Sequence, residues 1–247
     1  MDMFTVSEEG YRTGNPASDL SSLKPLISPS SINTVQKKTN GKPSDSLLSA
    51  PVDPAQVAKG AQIYSLNCSA CHQSNGKGLP GVAPSIRNRD FLAIASDEFI
   101  LNTVLKGRLG TAMAPRPDLT KETIRDIITY LRSEPATNAI TVKVNDSLKF
   151  AGNAKAGADN YSRYCSSCHG PNGEGYLAGV PGPGIGLPGF LNAASDDFIL
   201  KTILHGRIGT PMRSFIGAKG LANLTRQDAY DIIVQLRVMG KNHGEVQ

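Results

Sequence analysis

The sequence predicts an all-α chain: two tandem copies of one small helical unit behind an extended N-terminal arm. Three observations carry that reading: a Cys-x-x-Cys-His motif that occurs twice, paired helical segments at a nearly constant offset, and too few large side chains for an ordinary core. The 247 residues contain no Trp and only 7 Phe and 7 Tyr, against 25 Gly and 16 Pro, with 39% hydrophobic residues. Such a chain spends much of its length in turns and needs something other than aromatic side chains at its centre. The net charge of +5 comes from 26 basic and 21 acidic residues, and no basic run exceeds Lys37-Lys38, which argues against nucleic acid as a partner. No stretch approaches the roughly 18 consecutive apolar residues of a membrane span. The opening MDMFTVSEEG lacks a basic start and an apolar run, so the chain reads as soluble, with any export signal removed or outside this numbering.

The arm covers residues 1–52. Its first 50 residues hold 10 Ser and 4 Pro, no Cys, and five acidic residues cancelled by five basic ones, without helical periodicity. A segment of that kind buries too little apolar surface to fold alone. It is expected to dock the chain in a larger assembly.

The first unit, residues 53–134, carries Cys68-Ser-Ala-Cys71-His72, and the second, residues 153–247, carries Cys165-Ser-Ser-Cys168-His169. Both are the attachment signature of c-type haem. With 4 Cys and 4 His in the chain, chance would produce one such pattern in about one shuffled sequence per thousand. A zinc site would have to unite pairs separated by 93 residues and leaves both adjoining histidines unexplained. Two disulfides would likewise make no use of the histidines. The haem reading uses every residue. Thiols one helical turn apart reach the two vinyl groups of one porphyrin, and the next imidazole becomes an iron ligand. His72 and His169 are therefore the proximal ligands, and Cys68, Cys71, Cys165 and Cys168 the tethers.

The repeat extends beyond the motifs. At an offset of 97, Lys59-Gly60-Ala61 aligns with Ala156-Gly157-Ala158, Tyr64 with Tyr161, and Asn75-Gly76-Lys77-Gly78 with Asn172-Gly173-Glu174-Gly175. The offset then becomes 99: residues 96–101 (SDEFIL) match 195–200 (SDDFIL), each an N-capped helix start. Residues 107–113 (GRLGTAM) match 206–212 (GRIGTPM), each closing a helix with glycine and presenting one methionine. Residues 120–132 and 225–237 are amphipathic, with Ile124, Ile127, Ile128 and Leu131 on one face and Ala229, Ile232, Ile233 and Leu236 on its counterpart, each behind a threonine cap. Between the units, residues 135–152 read as a linker with a short extended piece at 140–144.

Each repeat resembles a class I cytochrome c, and the pair resembles the tandem dihaem cytochromes that include cytochrome c4, over about residues 53–240. The resemblance implies one covalent haem c in each helical domain. It also implies a methionine as sixth iron ligand some forty residues after the histidine. Met113 and Met212 stand 41 and 43 residues after His72 and His169. The plainer alternative for a methionine is core filling. Met1 and Met3 begin a polar tail and Met239 follows the last amphipathic segment, which agrees with the alignment. The family further places a proline carbonyl against the proximal imidazole, a role that falls on Pro84 and Pro183; an ordinary loop proline is the other reading. In the family the first and last helices cross with a glycine under an aromatic. Gly60 with Tyr130 fits, whereas Gln235 replaces the aromatic in repeat two and predicts a looser crossing or one that uses Tyr230.

His205 precedes a helix-closing glycine and His243 falls in a polar tail, so both read as solvated. Arg108 and Arg207 suit either haem propionates or solvent. Arg87 and Arg89 receive no role. An iron held by His and Met has no open position, which implies a carrier of electrons between redox proteins rather than an enzyme. Dihaem peroxidases and thiosulfate dehydrogenases are the rival class. The resemblance also implies an extracytoplasmic, periplasmic setting. The partner is expected to be a larger membrane-associated respiratory or photosynthetic complex, contacted through the arm.

Overall fold

Each long helix begins where the sequence offers a side chain that accepts from its first free N–H groups. The computed structural model describes residues 53–133 and 144–245. Helix α1 (Pro54–Asn67) starts at Asp53, whose carboxylate accepts from Ala55 N at 2.9 Å, with Pro54 at the first position. One turn, α2 (Ser69–His72), follows and carries the first motif. Asn88, Ser96 and Thr120 cap α3 (Arg89–Ile94), α4 (Asp97–Lys106) and α5 (Lys121–Arg132). The second half repeats the order with α6 (Ala154–Tyr164), α7 (Ser166–His169), a 3-10 turn (Gly175–Ala178), α8 (Pro188–Leu191), α9 (Asp196–His205) and α10 (Arg226–Glu245). Among the described residues there is no strand, and no helix is long and apolar enough to cross a membrane. The arm and residues 135–143 of the linker lie outside the described residues, and with them nearly all of the extended piece expected at 140–144.

The chain is all-α, and two helix crossings build its core. In the first half α1 crosses α5, burying Ile124, Ile127, Ile128 and Leu131; in the second α6 crosses α10, burying Ala229, Ile232, Ile233 and Leu236. Gly60 and Gly157 make the crossings possible: a Cβ there would lie 2.0 Å from Asp126 O and 2.0 Å from Asp231 O. The second crossing is as close as the first, contrary to the looser one expected from Gln235. Backbone sets the approach, and Gln235 Cβ takes the place of Tyr130 Cβ at the same 3.0 Å. Tyr230 does not substitute for the missing aromatic. It stacks on Phe150 at 4.3 Å between centroids, pinning the linker to the second half.

Helix α10 also runs well past Arg237, so Met239 and His243 are helical rather than in a tail. In the other half Arg87 stacks on Tyr130 at 4.2 Å and bonds its hydroxyl and Ser133. Repeat two has Gly186 in place of Arg87, and Met239 and Gly240 of the extended helix pack beside it instead.

Two equivalent arginines staple each half. Arg132 binds Asp97 Oδ1 at 2.7 Å and the carbonyls of Leu92 and Ala95; Arg237 binds Asp196 Oδ1 at 2.7 Å and the carbonyls of Leu191 and Ala194. Asp196 is 6% exposed against 36% for Asp97. Stranding Asp196 would cost about 3 kcal/mol, whereas water can replace the partner of Asp97.

Thr225 and Asp228 form a reciprocal cap on α10: Asp228 Oδ2 accepts from Thr225 N at 2.8 Å, and Thr225 Oγ1 accepts from Asp228 N at 3.1 Å. The Thr225 hydroxyl, followed by its backbone N–H, holds the Asp228 carboxyl below the ordinary carboxylate range. A folded-state value below the unfolded one stabilises fully above about pH 4 and less as pH falls through the folded value. Asp228→Asn is expected to cost about 1 kcal/mol at neutral pH and progressively less in acid, measured by urea unfolding. A cost that stays constant with pH would show that the charge plays no part.

Both halves, residues 53–133 and 144–245, lie in one compact unit, and equivalent residues face each other across their seam. Phe99 stacks on its counterpart Phe198 at 4.8 Å, with Phe91 and Phe190 set edge-on to Phe198. Arg108 lies over Phe99 and Arg207 over Phe91, each at 5.0 Å. Asn88 Nδ2 donates to Ile208 O at 2.8 Å, Arg108 Nη1 to Gly189 O at 3.1 Å and Gly81 N to Pro181 O at 3.2 Å. Helices α3 and α8 are too short to give a periodic signal in the sequence, yet both border this seam.

Candidate haem sites

Cys68 N and Cys165 N donate to Tyr64 O and Tyr161 O, each at 2.8 Å, ending the long helices just as the motifs begin. The single turns α2 and α7 then put the paired cysteines one turn apart, with the histidine last. Tyr64 and Tyr161, fully buried, donate their hydroxyls to Gln73 O at 2.7 Å and Gly170 O at 2.8 Å, fixing the chain just beyond each histidine. The four cysteines form no disulfide; Cys71 and Cys168 are exposed, Cys68 and Cys165 half-buried. Burial pushes the Cys68 thiol up and the Cys165 thiol up to about 12. Among the described residues no three His, Cys, Asp or Glu side chains gather as a zinc site would require.

His72 Nδ1 donates to Pro84 O at 2.9 Å, and His169 Nδ1 to Pro183 O at 2.8 Å. With the proton on Nδ1, each ring keeps its Nε2 lone pair for a metal. Burial, opposed by the proline carbonyl, holds both imidazoles below their ordinary pKa. Gly78 and Gly175 let the proline segments approach: both have positive φ, and a Cβ would meet Pro84 C at 2.5 Å and Pro183 C at 2.3 Å.

The methionine loops are built alike. Arg108 N donates to Met113 O at 2.8 Å and Arg207 N to Met212 O at 2.5 Å. Thr111 Oγ1 donates to Arg108 O and accepts from Met113 N; Thr210 does the same between Arg207 and Met212. Arg116 ties the first loop to the motif, its Nη2 donating to Asn67 Oδ1 at 2.7 Å immediately before Cys68. The second loop closes on itself through Leu224 N to Phe215 O at 2.9 Å. Thr111 and Thr210 were legible in the repeated Gly-Arg-x-Gly-Thr-x-Met, but the sequence reading gives them no part. Tyr64 and Tyr161 recur equally plainly, and their hydroxyl bonds span positions that carry no common motif.

The remaining candidates fall elsewhere. His205 is exposed at the end of α9, and His243 donates through Nε2 to Asn172 O at 2.8 Å. Arg108 and Arg207 are half-buried: each donates through Nη2 to a threonine hydroxyl of the preceding helix, and burial brings both down to about 10. Arg207 Nη1 is fully enclosed without a hydrogen-bond partner. Leu109 and Ile208, at matching positions beside the arginines, are 61% and 62% exposed. Paired thiols, a proton-directed imidazole, a methionine held by its backbone, apolar side chains and a half-buried cation suit a flat, mostly apolar ring that carries anionic groups and a metal.

The family model described as cytochrome c oxidase, cbb3-type, subunit III matches the chain twice, at residues 55–131 and 152–234. A cbb3-type cytochrome c oxidase subunit CcoP of Rubrivivax gelatinosus is 28% identical over 130 residues, covering 51% of this chain and 38% of that protein. A subunit FixP of Bradyrhizobium sp. (strain ORS 278) is 29% identical over 183 residues, or 66% of this chain and 58% of that protein. A cytochrome bc1 complex cytochrome c subunit of Corynebacterium diphtheriae is 31% identical over 86 residues, covering 35% and 30%. The chain spans less than two thirds of the length of each of these relatives.

Proposed function

The chain belongs to the family of cytochrome c oxidase, cbb3-type, subunit III, and from that premise we propose that it is a dihaem electron carrier working within, or docked to, a larger respiratory complex. The observation that carries this reading is the pair of imidazole–proline contacts, His72 to Pro84 and His169 to Pro183, each at the end of a Cys-x-x-Cys-His turn. Cys68 and Cys71 in one half, and Cys165 and Cys168 in the other, tether one haem c each. His72 and His169 hold the iron through Nε2. When bound, each haem supplies one reversible electron step at its iron.

The protein residues set the conditions of that step. The proline carbonyls keep the proton on Nδ1, fix the ring plane and make the imidazole a better donor. Met113 and Met212, on loops pinned by Thr111 and Thr210, would complete the ligand set of each iron with a soft thioether that favours the reduced state. An iron held by histidine and methionine would leave no position for substrate, which favours a carrier over a peroxidase or thiosulfate dehydrogenase. The seam between the halves brings the two sites into one relay. Residues 1–50 are the segment assigned to docking, in an extracytoplasmic setting, and the mild positive charge favours acidic partner surfaces.

The test is to produce the chain in a host that attaches haem c, then count haems and take visible spectra. Two haems per chain, both low-spin and both contributing the weak far-red ferric band of methionine ligation, are expected. A high-spin haem in the untreated protein, or catalytic turnover of peroxide, would overturn the assignment.

A further inference from the structure

The seam between the halves pairs equivalent residues almost everywhere, so the places where the pairing fails stand out. The arginine-to-aspartate staples recur in both halves, as do the stacked phenylalanines and the threonine-bound guanidinium groups. At the seam, the half-buried carboxylate of Asp90 does not recur. At the offset of 99, Asp90 corresponds to Gly189. Asp90 reaches across the seam, and its Oδ2 accepts from Ile208 N at 2.5 Å, next to Arg207. Gly189 faces the matching loop of the first half, at Arg108 and Leu109, and has no room for a side chain: a Cβ would sit 2.3 Å from Leu109 N.

The two arginines therefore sit in different fields. The Asp90 carboxylate, bonded to the N–H of the residue after Arg207, works against the effect of burial on that arginine, whereas among the described residues Arg108 meets a carbonyl, a hydroxyl and the Phe99 ring. Asp90 Oδ1 also meets Arg89 at 3.2 Å, but that side chain is 46% exposed and water screens it. Each arginine's backbone N–H is bonded to the carbonyl of its half's methionine, which anchors it on that half's methionine loop, while its guanidinium lies over the phenylalanines of the seam. A fixed cation near an iron favours the reduced form, which carries one positive charge fewer, and in a partly buried seam the effect reaches several ångströms.

We propose that Asp90, by offsetting Arg207 and leaving Arg108 unopposed, sets the order in which the two haems accept electrons, the first half before the second. The proposal rests on the dihaem carrier reading. Asp90 acts only through the arginine, so it is a tuning residue and touches no reacting atom. The directional consequence is that an electron entering the second half moves downhill to the first.

The test is a redox titration of the full haem-loaded chain, with each site followed through the isotope-labelled methyl signals of Met113 and Met212. Met113→Leu and Met212→Leu assign those signals by their loss. The first half is expected to reduce first. Asp90→Asn, which keeps an oxygen for Ile208 N, is expected to shift the sharing of one electron about three- to tenfold towards the second half. As a second variant pair, Arg108→Gln should weaken reduction of the first site more than Arg207→Gln weakens the second. A second half that reduces first, an unchanged ratio in Asp90→Asn, or equal effects of the two arginine changes would overturn the proposal. If both methyl signals are present while the ratio stays fixed, the carrier reading stands and this inference falls. Absence of either methyl signal sinks the carrier reading, and this inference with it.

Discussion

Met212→Ala is expected to leave a chain with two attached haems of which one is no longer low-spin. Half of the weak far-red ferric band disappears, and the reduced protein binds one carbon monoxide per chain where the parent binds none. The argument rests on the loop. Met212 is held by Arg207 N and Thr210 Oγ1 through its backbone alone, so removing the thioether leaves those bonds and the loop's path in place. The seam contacts of Arg207 and Ile208 survive as well. Fold and haem content should therefore be preserved while the sixth position opens. Loss of both low-spin signals would mean that the halves are not independent sites, and loss of neither would remove Met212 from the ligand set.

Gly157→Ala is expected to destabilise the second half by about 3 kcal/mol despite alanine's better helix propensity, worth about 1 kcal/mol in the opposite direction. The new methyl would lie 2.0 Å from Asp231 O and 2.5 Å from Asp231 C, both backbone atoms of the facing helix. No rotamer relieves that overlap, so α6 and α10 must separate and expose part of Ile232 and Leu236. A melting temperature lowered by several degrees, with the first half's haem spectrum unchanged, is the expected readout. An unchanged melting temperature would show that the two helices do not meet as closely as the structure places them.

The fold and the haem attachment points were legible because the chemistry that needs them is short-range. Two thiols and an imidazole within five residues, the glycine-closed helices and the amphipathic faces all declare themselves locally, and duplication shows each of them twice. The partners of those residues were harder to read. Arg132 and Arg237 sit in helices identified from the sequence, but their carbonyl and carboxylate partners lie some 35 to 46 residues away in the chain. The closeness of the crossing at Gly157 is not legible in the sequence, because an aromatic neighbour is a visible letter whereas a backbone carbonyl is common to every residue. The seam was invisible for the same reason: Phe91, Phe99, Phe190 and Phe198 look like core residues of separate units, and only the packing of the halves turns them towards each other. Asp90 was hidden further, since a lone acidic residue beside Arg89 reads as a surface pair.

That seam also says something about origins. Phe99 against Phe198 is a self-matching contact, the kind by which two identical copies of one chain close on each other about a two-fold axis. A single-repeat ancestor bearing this surface would already have paired with itself, so fusion of two gene copies would have inherited an interface rather than invented one. Asp90 and Gly189 are then the marks of divergence after fusion: once the two sides were encoded separately, each could become what its partner was not.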